Sequence, residues 1–275
     1  MSYGVASTSN AVQRLTVSLR AKLASGKPCI GAWLDIPNPA VARVISRLGF
    51  DWCLIDMEHA PMTIQIAAEM VAAIGSSSDC SPIVRVPGHG VEWFKWALDA
   101  GAHGIIIPMV NTKEQCEAVV SHCRYPPEGT RSAGVFYAQY AFSSLKDQAN
   151  GVPTYLAEAN REILVMPQIE SKTALENVDE ILSVPGVDLA FVGPTDLHLS
   201  LNLAPSAEGR EPIFLEALEK IKASAKKNNV KLGIFATGGA ASKQRIAEGF
   251  QFVNACTDLA MVLKGCNEAL RDAKM

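Results

Sequence analysis

The chain has 275 residues, of which 48% are hydrophobic and 19% charged, and its formal net charge is −3. This length and composition support a large buried core. The slight acidity does not suit a nucleic-acid or anionic-membrane surface, which would need clustered Lys and Arg. No apolar run reaches the length of roughly 18–20 residues that crosses a bilayer, and no long apolar stretch opens the chain as in a secretory signal.

Seven cysteines, an odd number with no CxxC pair, favour a reducing compartment over a disulfide framework. We therefore expect a soluble cytoplasmic protein. The C-terminal tripeptide Ala273-Lys274-Met275 resembles a peroxisomal address, so a peroxisomal location stays open.

Short apolar runs alternate with longer amphipathic stretches along nearly the whole chain. Continuous apolar runs are typical of parallel strands that are covered on both faces. After a leading helix over Val12–Ala24, the predicted strands are Cys29–Leu34, Trp52–Asp56, Pro82–Val86, Gly104–Val110, Ile163–Gln168, Val187–Val192, Lys231–Ala236 and Phe252–Cys256. The predicted helices are Pro39–Leu48, Thr63–Ile74, Val91–Ala100, Thr112–Cys123, Ser171–Val184, Ile213–Lys226, Ala240–Glu248 and Ala260–Ala273. Eight such units in about 250 residues indicate a (β/α)8 TIM barrel of the α/β class.

The main alternative is a doubly wound sheet, but no predicted strand is followed by the G-x-G-x-x-G turn of a dinucleotide site. The longest irregular stretch, Tyr125–Tyr155, is expected to be an active-site loop with a short helix around Pro153–Ala159. No linker divides the chain. Residues 1–275 are predicted to form a single domain, with 1–11 as a flexible N-terminus.

Ionisable residues concentrate where the predicted strands end, and that is where (β/α)8 enzymes carry their chemistry. Strands five and six lead to Glu170 and Asp196. Two neighbouring carboxylates repel unless a cation or a proton intervenes, and an oxygen-only pair suits Mg²⁺ or Mn²⁺. We predict that these two residues bind a divalent metal ion. The alternative is that each of them only caps a helix or a turn.

Strands two and three carry two further candidates. His59 follows Asp56 by three residues, and its imidazole could act as a general acid or base near neutral pH. The alternative is an ordinary solvent-exposed loop histidine. Arg85 lies on an apolar strand, where an unpaired guanidinium would be costly. It needs either an ion pair with Asp56 or Glu58, or a substrate oxygen.

Several short motifs occur in a fixed order between about residues 29 and 260. They are Gly49-Phe50-Asp51-Trp52, Asp56-x-Glu58-His59-Ala60-Pro61, Val84-Arg85-Val86-Pro87, Arg124-Tyr125-Pro126-Pro127-x-Gly129-x-Arg131, Gln168-Ile169-Glu170 and Gly193-Pro194-x-Asp196-Leu197. This series resembles the HpcH/HpaI aldolase family of class II, metal-dependent pyruvate aldolases, to which macrophomate synthase is related.

The resemblance implies a metal site at Glu170 and Asp196, with Mg²⁺ as the first expectation and Mn²⁺ or Co²⁺ as alternatives. It places Gln168 beside a metal-bound water and Arg85 on the keto oxygen that becomes an enolate. Backbone amides at Thr195 and Asp196 would hold the substrate carboxylate.

It further implies that His59 assists proton transfer together with Asp99 of a neighbouring subunit, and we include Trp33 among the substrate-binding residues. The implied assembly is a hexamer, a trimer of dimers, in which the last helix, Ala260–Ala273, is exchanged between partners.

The predicted function is that of a carbon–carbon lyase acting on 2-oxo acids through a pyruvate enolate, as a 4-hydroxy-2-oxo acid aldolase, an oxaloacetate decarboxylase or both. One alternative is a biosynthetic enzyme like macrophomate synthase, which couples the enolate to an unsaturated partner. Another is a non-catalytic barrel that serves in binding or assembly. Departures from the family pattern at Thr195 and His198 leave the second substrate open.

Overall fold

Eight parallel strands close into a barrel in the computed structural model, which describes residues 14–145 and 148–274. The strands are β1 Cys29–Leu34, β2 Trp52–Asp56, β3 Ser81–Arg85, β4 Gly104–Ile107, β5 Leu164–Ile169, β6 Leu189–Val192, β7 Lys231–Ile234 and β8 Phe252–Thr257. Each strand pairs in parallel with its neighbours in the chain, and β8 pairs with β1 to close the ring. The predicted (β/α)8 fold is confirmed.

The barrel interior is filled by side chains, as a small barrel requires. Trp52 of β2 stacks on Phe252 of β8 with ring centroids 4.0 Å apart, and its indole N–H donates to the carbonyl of Cys29 at 3.1 Å. Gly31 makes room for this ring, because a Cβ there would lie 2.0 Å from Trp52. These contacts join β1, β2 and β8 at the point of closure.

Helices cover the outside of the barrel and follow the strands in the expected alternation. They are α1 Ser18–Ala24, α2 Pro39–Ile45, α3 Ile64–Gly75, α4 Val91–Asp99, α5 Lys113–Cys123, α6 Gln148–Glu162, α7 Lys172–Glu176, α8 Val178–Leu182, α9 Pro194–Ser200, α10 Pro212–Lys227, α11 Gly239–Ala247 and α12 Asp258–Lys274. Three glycines that follow helices and precede strands, Gly49, Gly101 and Gly249, have φ of 96°, 103° and 100°. This left-handed conformation favours glycine.

The N-terminal prediction was partly wrong. The leading helix begins at Ser18 and not at Val12, and residues 14–17 are not helical. Carboxylates on α6 bind the backbone there: Glu158 accepts from the N–H of Leu15 at 2.5 Å and Glu162 from that of Val17 at 3.3 Å. Val12 and the predicted flexible segment 1–11 lie outside the described residues.

Three other segments differ from expectation. The helix predicted around Pro153–Ala159 is the longer α6. The helix predicted over Ser171–Val184 divides into α7 and α8 at Asn177, whose side chain donates to the carbonyl of Asn111 at 2.9 Å. The short helix α9 occupies the region after β6, where no helix was predicted.

The stretch predicted as an active-site loop lies at the opposite end of the barrel. It follows α5 and not β4, so it lies near the starts of the strands. At that end Arg124 binds the carbonyl of Ile163 at 3.0 Å and the carboxylate of Asp188 at 3.2 Å, and His103, just before β4, contacts the carbonyl of Ala141 at 2.9 Å. The stretch therefore does not form a loop at the carboxyl ends of the strands, and the prediction of an active-site loop in this chain was wrong.

The last helix, α12, begins at the buried Asp258 and is otherwise exposed over its described residues. Among its exposed apolar side chains are Met261, Val262 and Leu263. Its exchange between subunits stays a prediction, and Met275 of the C-terminal tripeptide lies outside the described residues. In the part of the chain that the structure describes, no helix combines the length and the apolar character needed to cross a membrane.

Candidate active site

A cavity of about 450 Å³ opens at the carboxyl ends of the strands. Six of the predicted site residues line it: Trp33, His59, Arg85, Gln168, Thr195 and Asp196. Glu170 directly follows β5 and lies beside Gln168, while Asp196 lies in α9 just beyond β6, the strand that pairs with β5. Closure of the barrel thus brings together residues from five different strand ends.

Arg85, the last residue of β3, is buried and held by two acids that follow from β2. Its Nε lies 2.9 Å from Asp56 Oδ1, and its Nη1 lies 2.9 Å from Glu58 Oε2 in an ion pair. A second hydrogen bond joins Nη2 to Asp56 Oδ2. A guanidinium has five N–H donors, so at least one on each terminal nitrogen stays available. Both partners considered from the sequence are therefore real, and they still leave donors for a substrate oxygen.

Trp33 contacts both Asp56 and Arg85 and holds this ion pair in place. The indole N–H donates to Asp56 Oδ2 at 3.1 Å, and the Arg85 guanidinium lies 4.7 Å from the centre of the ring. Burial opposes ionisation of Asp56, but the hydrogen bonds and the charge of Arg85 outweigh it and lower the pKa of that carboxyl. Burial alone would lower the pKa of Arg85, but the hydrogen bonds to Asp56 and the negative charges of Asp56 and Glu58 raise it. Arg85 is thus a permanent, oriented cation.

Glu170 is a buried carboxylate, 2% exposed, at the end of β5. Its Oε1 accepts from the N–H of Met109 at 2.8 Å, and its Oε2 accepts from the amide of Gln168. Burial raises the pKa of Glu170 to about 7, opposed by these hydrogen bonds and reinforced by the negative charges of Glu58 and Asp196. Among the described residues Glu170 forms no ion pair, so its negative charge is only partly compensated, by the nearby Arg85.

The surroundings of Glu170 fit a divalent cation. The Oε1 atom of Gln168 is buried and has no hydrogen-bond partner among the described residues. Gly193 brings backbone so close that a Cβ there would lie 2.2 Å from Glu170 Oε2. Carboxylate and amide oxygens form the hard donor set that Mg²⁺ and Mn²⁺ prefer. No group of three or more His, Cys, Asp or Glu arranged for a metal occurs within the described ranges, so water or substrate oxygens would complete the coordination.

His59 lies at the rim of the cavity with its side chain 65% exposed. Its Nε2 is 3.7 Å from Glu58 Oε2, and its backbone N–H lies 3.4 Å from Asp56 Oδ1. The imidazole therefore stands next to the Arg85 cluster and remains open to solvent. This position is suited to moving a proton between a bound molecule and water.

Asp99, the last residue of α4, does not line this cavity. It forms an ion pair with the buried Arg131 at 2.8 Å and lines a separate groove of about 500 Å³ beside Trp96, Tyr137 and Tyr140. The end of α4 leads into β4, so Asp99 belongs to the opposite end of the barrel from His59. One chain does not bring the two residues together, and the pair across subunits stays a prediction.

Among the wall residues that sequence reasoning missed are Asp35, Phe235 and Thr257, and it also missed one polar contact. Asp35 follows β1, Phe235 follows β7 and Thr257 ends β8, and all three line the cavity. Asp35 also occupies a strand end, so the positional rule that selected Glu170 could have found it. The contact between its backbone and Asp258 joins residues 223 positions apart, at 2.8 Å. Sequence patterns carried no signal for that contact.

The departure at His198 is structural. The ring is fully buried, with Nδ1 2.6 Å from the carbonyl of Pro194 and Nε2 3.1 Å from Glu211 Oε2. It also packs on Phe214, with ring centroids 3.9 Å apart. His198 therefore stabilises α9, which carries Thr195 and Asp196 on its exposed side.

Comparisons with known proteins identify the family to which this chain belongs. The model of the family described as HpcH/HpaI aldolase/citrate lyase matches residues 29–264. A hydroxypyruvate/pyruvate aldolase of Rhizorhabdus wittichii is 36% identical over 249 residues, which cover 90% of this chain and 95% of that protein. A 5-keto-4-deoxy-D-glucarate aldolase of Klebsiella pneumoniae is 36% identical over 255 residues, or 92% of this chain and 95% of that protein.

Solved structures lead to the same family. The crystal structure of macrophomate synthase superposes with a TM-score of 0.82 at 27% identity, covering 93% of this chain and 87% of that one. This confirms the relationship expected from the sequence motifs. The chain belongs to the HpcH/HpaI aldolase/citrate lyase family and is an aldolase-type lyase built on a (β/α)8 barrel.

Proposed function

We propose that this enzyme is a divalent-metal-dependent lyase that acts on 2-oxo acids through a pyruvate enolate. Its reaction would be aldol cleavage of 4-hydroxy-2-oxo acids, decarboxylation of oxaloacetate, or both. The observation that carries the proposal is the buried Arg85, which faces the same cavity as Gln168 and Asp196, beside Glu170. An enolate concentrates negative charge on one oxygen, and a fixed cation aimed at that oxygen stabilises it. The name of the Rhizorhabdus relative, a hydroxypyruvate/pyruvate aldolase, supports the substrate class.

Glu170 and Asp196 would hold the ion, with Gln168 beside it. Bound there, Mg²⁺, or alternatively Mn²⁺ or Co²⁺, would supply Lewis-acid polarisation of the 2-oxo group. The backbone amides of Thr195 and Asp196 lie in the first turn of α9, where helical geometry leaves N–H groups without intrahelical partners. They would orient the substrate carboxylate.

Arg85 would donate its remaining N–H groups to the 2-oxo oxygen. Because Asp56, Glu58 and Trp33 already hold the guanidinium, little further ordering is needed as charge develops. Such preorganised donors are worth about 10²–10³-fold in rate when removed singly.

Aldol cleavage also needs a base, which takes the proton from the 4-hydroxyl while the C3–C4 bond breaks and its electron pair enters the enolate. His59, at the rim, would take that proton. Protonation of the enolate at C3 then gives pyruvate. Loss of CO₂ from oxaloacetate yields the same enolate without that base, so the two reactions depend differently on His59.

The test is pyruvate release from oxaloacetate and from 4-hydroxy-2-oxovalerate, using protein stripped with EDTA and then supplied with Mg²⁺, Mn²⁺ or Co²⁺. We expect turnover to require one of these ions. Turnover that is indifferent to EDTA would contradict metal dependence. The absence of turnover with every substrate would favour the non-catalytic alternative.

Calorimetric titration with Mn²⁺ tests the ligands separately from activity. Glu170→Gln should weaken Mn²⁺ binding by at least about tenfold, because it removes a carboxylate ligand. Glu176→Gln is the matched control, since that carboxylate on α7 is 60% exposed. Unchanged Mn²⁺ affinity in Glu170→Gln would rule out the ligand assignment.

The exposed apolar residues of α12 support a proposed oligomer in which this helix packs against a neighbouring subunit. A hexamer, a trimer of dimers, is the expected state, and it would also bring Asp99 of one subunit towards His59 of the next. Light scattering of the full chain measures the mass directly. A monomer at micromolar concentration would contradict both the assembly and the shared site.

A further inference from the structure

One carboxylate in the cavity has no part in the proposed reaction. Asp35 directly follows β1, is half-buried and lines the same wall as Trp33 and Thr257. Its carboxylate forms no hydrogen bond and no ion pair with any residue in the described ranges. A desolvated carboxylate without such a partner is costly unless a ligand or water satisfies it. Asp35 is therefore available to a bound molecule.

Asp35 lies across the mouth from the proposed metal ligands. In the closed ring of strands, β1 stands four positions from β5, which leads to Glu170. A 2-oxo acid held at Glu170 and Asp196 would place its keto oxygen near Arg85 of β3. The rest of the substrate, which becomes the aldehyde, would extend towards β1, β7 and β8. Asp35, Phe235 and Thr257 border that part of the cavity.

The backbone at Asp35 is fixed in place. The buried Asp258, at the start of α12, accepts the N–H of Asp35 at 2.8 Å and that of Ile36 at 3.1 Å. A third N–H, from Leu259, lies 2.7 Å from the same carboxylate. Asp258 thus holds the segment after β1 by two backbone hydrogen bonds, and Asp35 presents its own carboxylate at a defined point.

The charges around Asp35 disfavour a second anion there. Burial raises the pKa of Asp35 to about 6, and the negative charges of Asp56 and Asp258 add to this effect, whereas Arg85 and His59 oppose it. Asp35 is therefore ionised at neutral pH. Arg85 is already paired with two carboxylates, and His59 is the other basic residue of the described cavity wall. An aldehyde carboxylate at this end would meet net negative charge.

We infer that Asp35 selects the aldehyde half of the substrate, accepting a hydrogen bond from a hydroxyl of a neutral, hydroxylated aldehyde and disfavouring an aldehyde that ends in a carboxylate. This inference rests on the proposed aldolase function. It distinguishes this chain from the Klebsiella relative, whose named substrate, a glucarate derivative, carries a carboxylate at each end.

The test runs the reaction towards synthesis with pyruvate and three aldehydes of three carbons: propanal, glyceraldehyde and tartronate semialdehyde. The last two differ only in a terminal CH₂OH or carboxylate. In this direction C3 of the enolate bonds to the aldehyde carbon, and the aldehyde oxygen takes up a proton to become the 4-hydroxyl. We expect kcat/KM for glyceraldehyde to exceed that for each of the other two by about tenfold, as a hydrogen bond to a charged acceptor implies.

Two variants separate the repulsion of a carboxylate from the hydrogen bond to a hydroxyl. Asp35→Asn removes the charge. It should raise kcat/KM for tartronate semialdehyde, relative to kcat/KM for glyceraldehyde, by about tenfold. Asp35→Ala removes the hydrogen-bond acceptor. It should lower kcat/KM for glyceraldehyde, relative to kcat/KM for propanal, by a similar factor. Asp179→Asn is the matched control, because that carboxylate lies on the surface of α8 and pairs with Lys227 at 3.1 Å. It should leave both ratios unchanged.

Exchange of the pyruvate methyl protons with deuterated water, followed by NMR, measures enolate formation without any aldehyde. Absence of exchange with every metal would count against the proposed function itself. Exchange combined with a wild-type preference for tartronate semialdehyde, or with no preference, would overturn the role of Asp35 alone. So would an Asp35→Asn variant that lowers kcat/KM equally for all three aldehydes. The wild-type ratios decide the question even where a variant fails to fold.

Discussion

Gly193→Ala is the smallest change that should displace a proposed metal ligand. Gly193 precedes α9 with φ of −91° and ψ of 91°, a conformation that alanine adopts without backbone strain. Its effect should therefore come only from the added methyl group. That Cβ would lie 2.2 Å from Glu170 Oε2 and 2.9 Å from Glu170 Cβ.

The size of the effect follows from these distances. Carbon and oxygen approach to about 3.3 Å, so the Glu170 carboxylate must move by about 1 Å. It has little room to do so, because it is buried and bound by the N–H of Met109 at 2.8 Å. A misplacement of about 1 Å at a reacting centre costs about 10²-fold in rate, or about 2.7 kcal/mol of barrier. Overpacking should also lower the free energy of unfolding by about 1–3 kcal/mol.

Two measurements test this reasoning: the Mn²⁺ dissociation constant by calorimetry and kcat/KM for oxaloacetate. We expect Gly193→Ala to weaken Mn²⁺ binding at least tenfold and to lower kcat/KM about 10²-fold. Gly239→Ala serves as the control, since its Cβ would meet no atom within 4 Å. Wild-type Mn²⁺ affinity and turnover in a folded Gly193→Ala protein would refute the placement of the ion at Glu170.

Three other predictions concern charge. Arg85→Lys keeps a cation but loses the paired contacts to Asp56, so kcat/KM for oxaloacetate should fall about 10²-fold; unchanged kinetics would exclude the enolate role. Because the pKa of Asp35 is raised to about 6, its charge is present above that pH and lost below it. The glyceraldehyde-to-tartronate-semialdehyde ratio should therefore fall from pH 7.5 to pH 5, and a constant ratio would argue against Asp35. Burial lowers the pKa of His103 to about 4 from 6.5. The unfolded chain then binds an extra proton between these values, so stability is full above pH 6.5 and declines by about 3 kcal/mol as pH falls to 4. Urea unfolding at pH 7 and 4.5 should show a smaller decline in His103→Gln, and equal declines would contradict this account.

Most of the fold could be predicted from local patterns. The predicted bounds of β1 and β2 agree with the structure, because a continuous apolar run ends there at charged residues. β4 is shorter than the apolar run that predicted it: it ends at Ile107, and Met109 has a positive φ of 54°. That conformation aims the Met109 N–H at Glu170, a contact between residues 61 positions apart. Hydrophobicity alone cannot signal such a turn.

The candidate site divides in the same way. Its charged residues were found because strand ends are where polar groups interrupt apolar runs, and Glu170, Asp196, Arg85 and His59 all occupy such places. Asp35 occupies one too but belongs to no recognised motif. The prediction of an active-site loop was wrong because a helix, α5, follows β4 and returns the chain to the other end of the barrel.

The sequence by itself therefore determined the eightfold alternation, the strands and the set of ionisable groups at their ends. Periodicity and local chemistry encode those features within a few residues. Only the tertiary structure decided which groups meet: Arg85 with Asp56 and Glu58, Asp35 with Asp258, and Glu170 with Met109 and Gly193. Most of these contacts join the ends of different strands. The residues come within contact distance only when the eighth strand pairs with the first and closes the barrel.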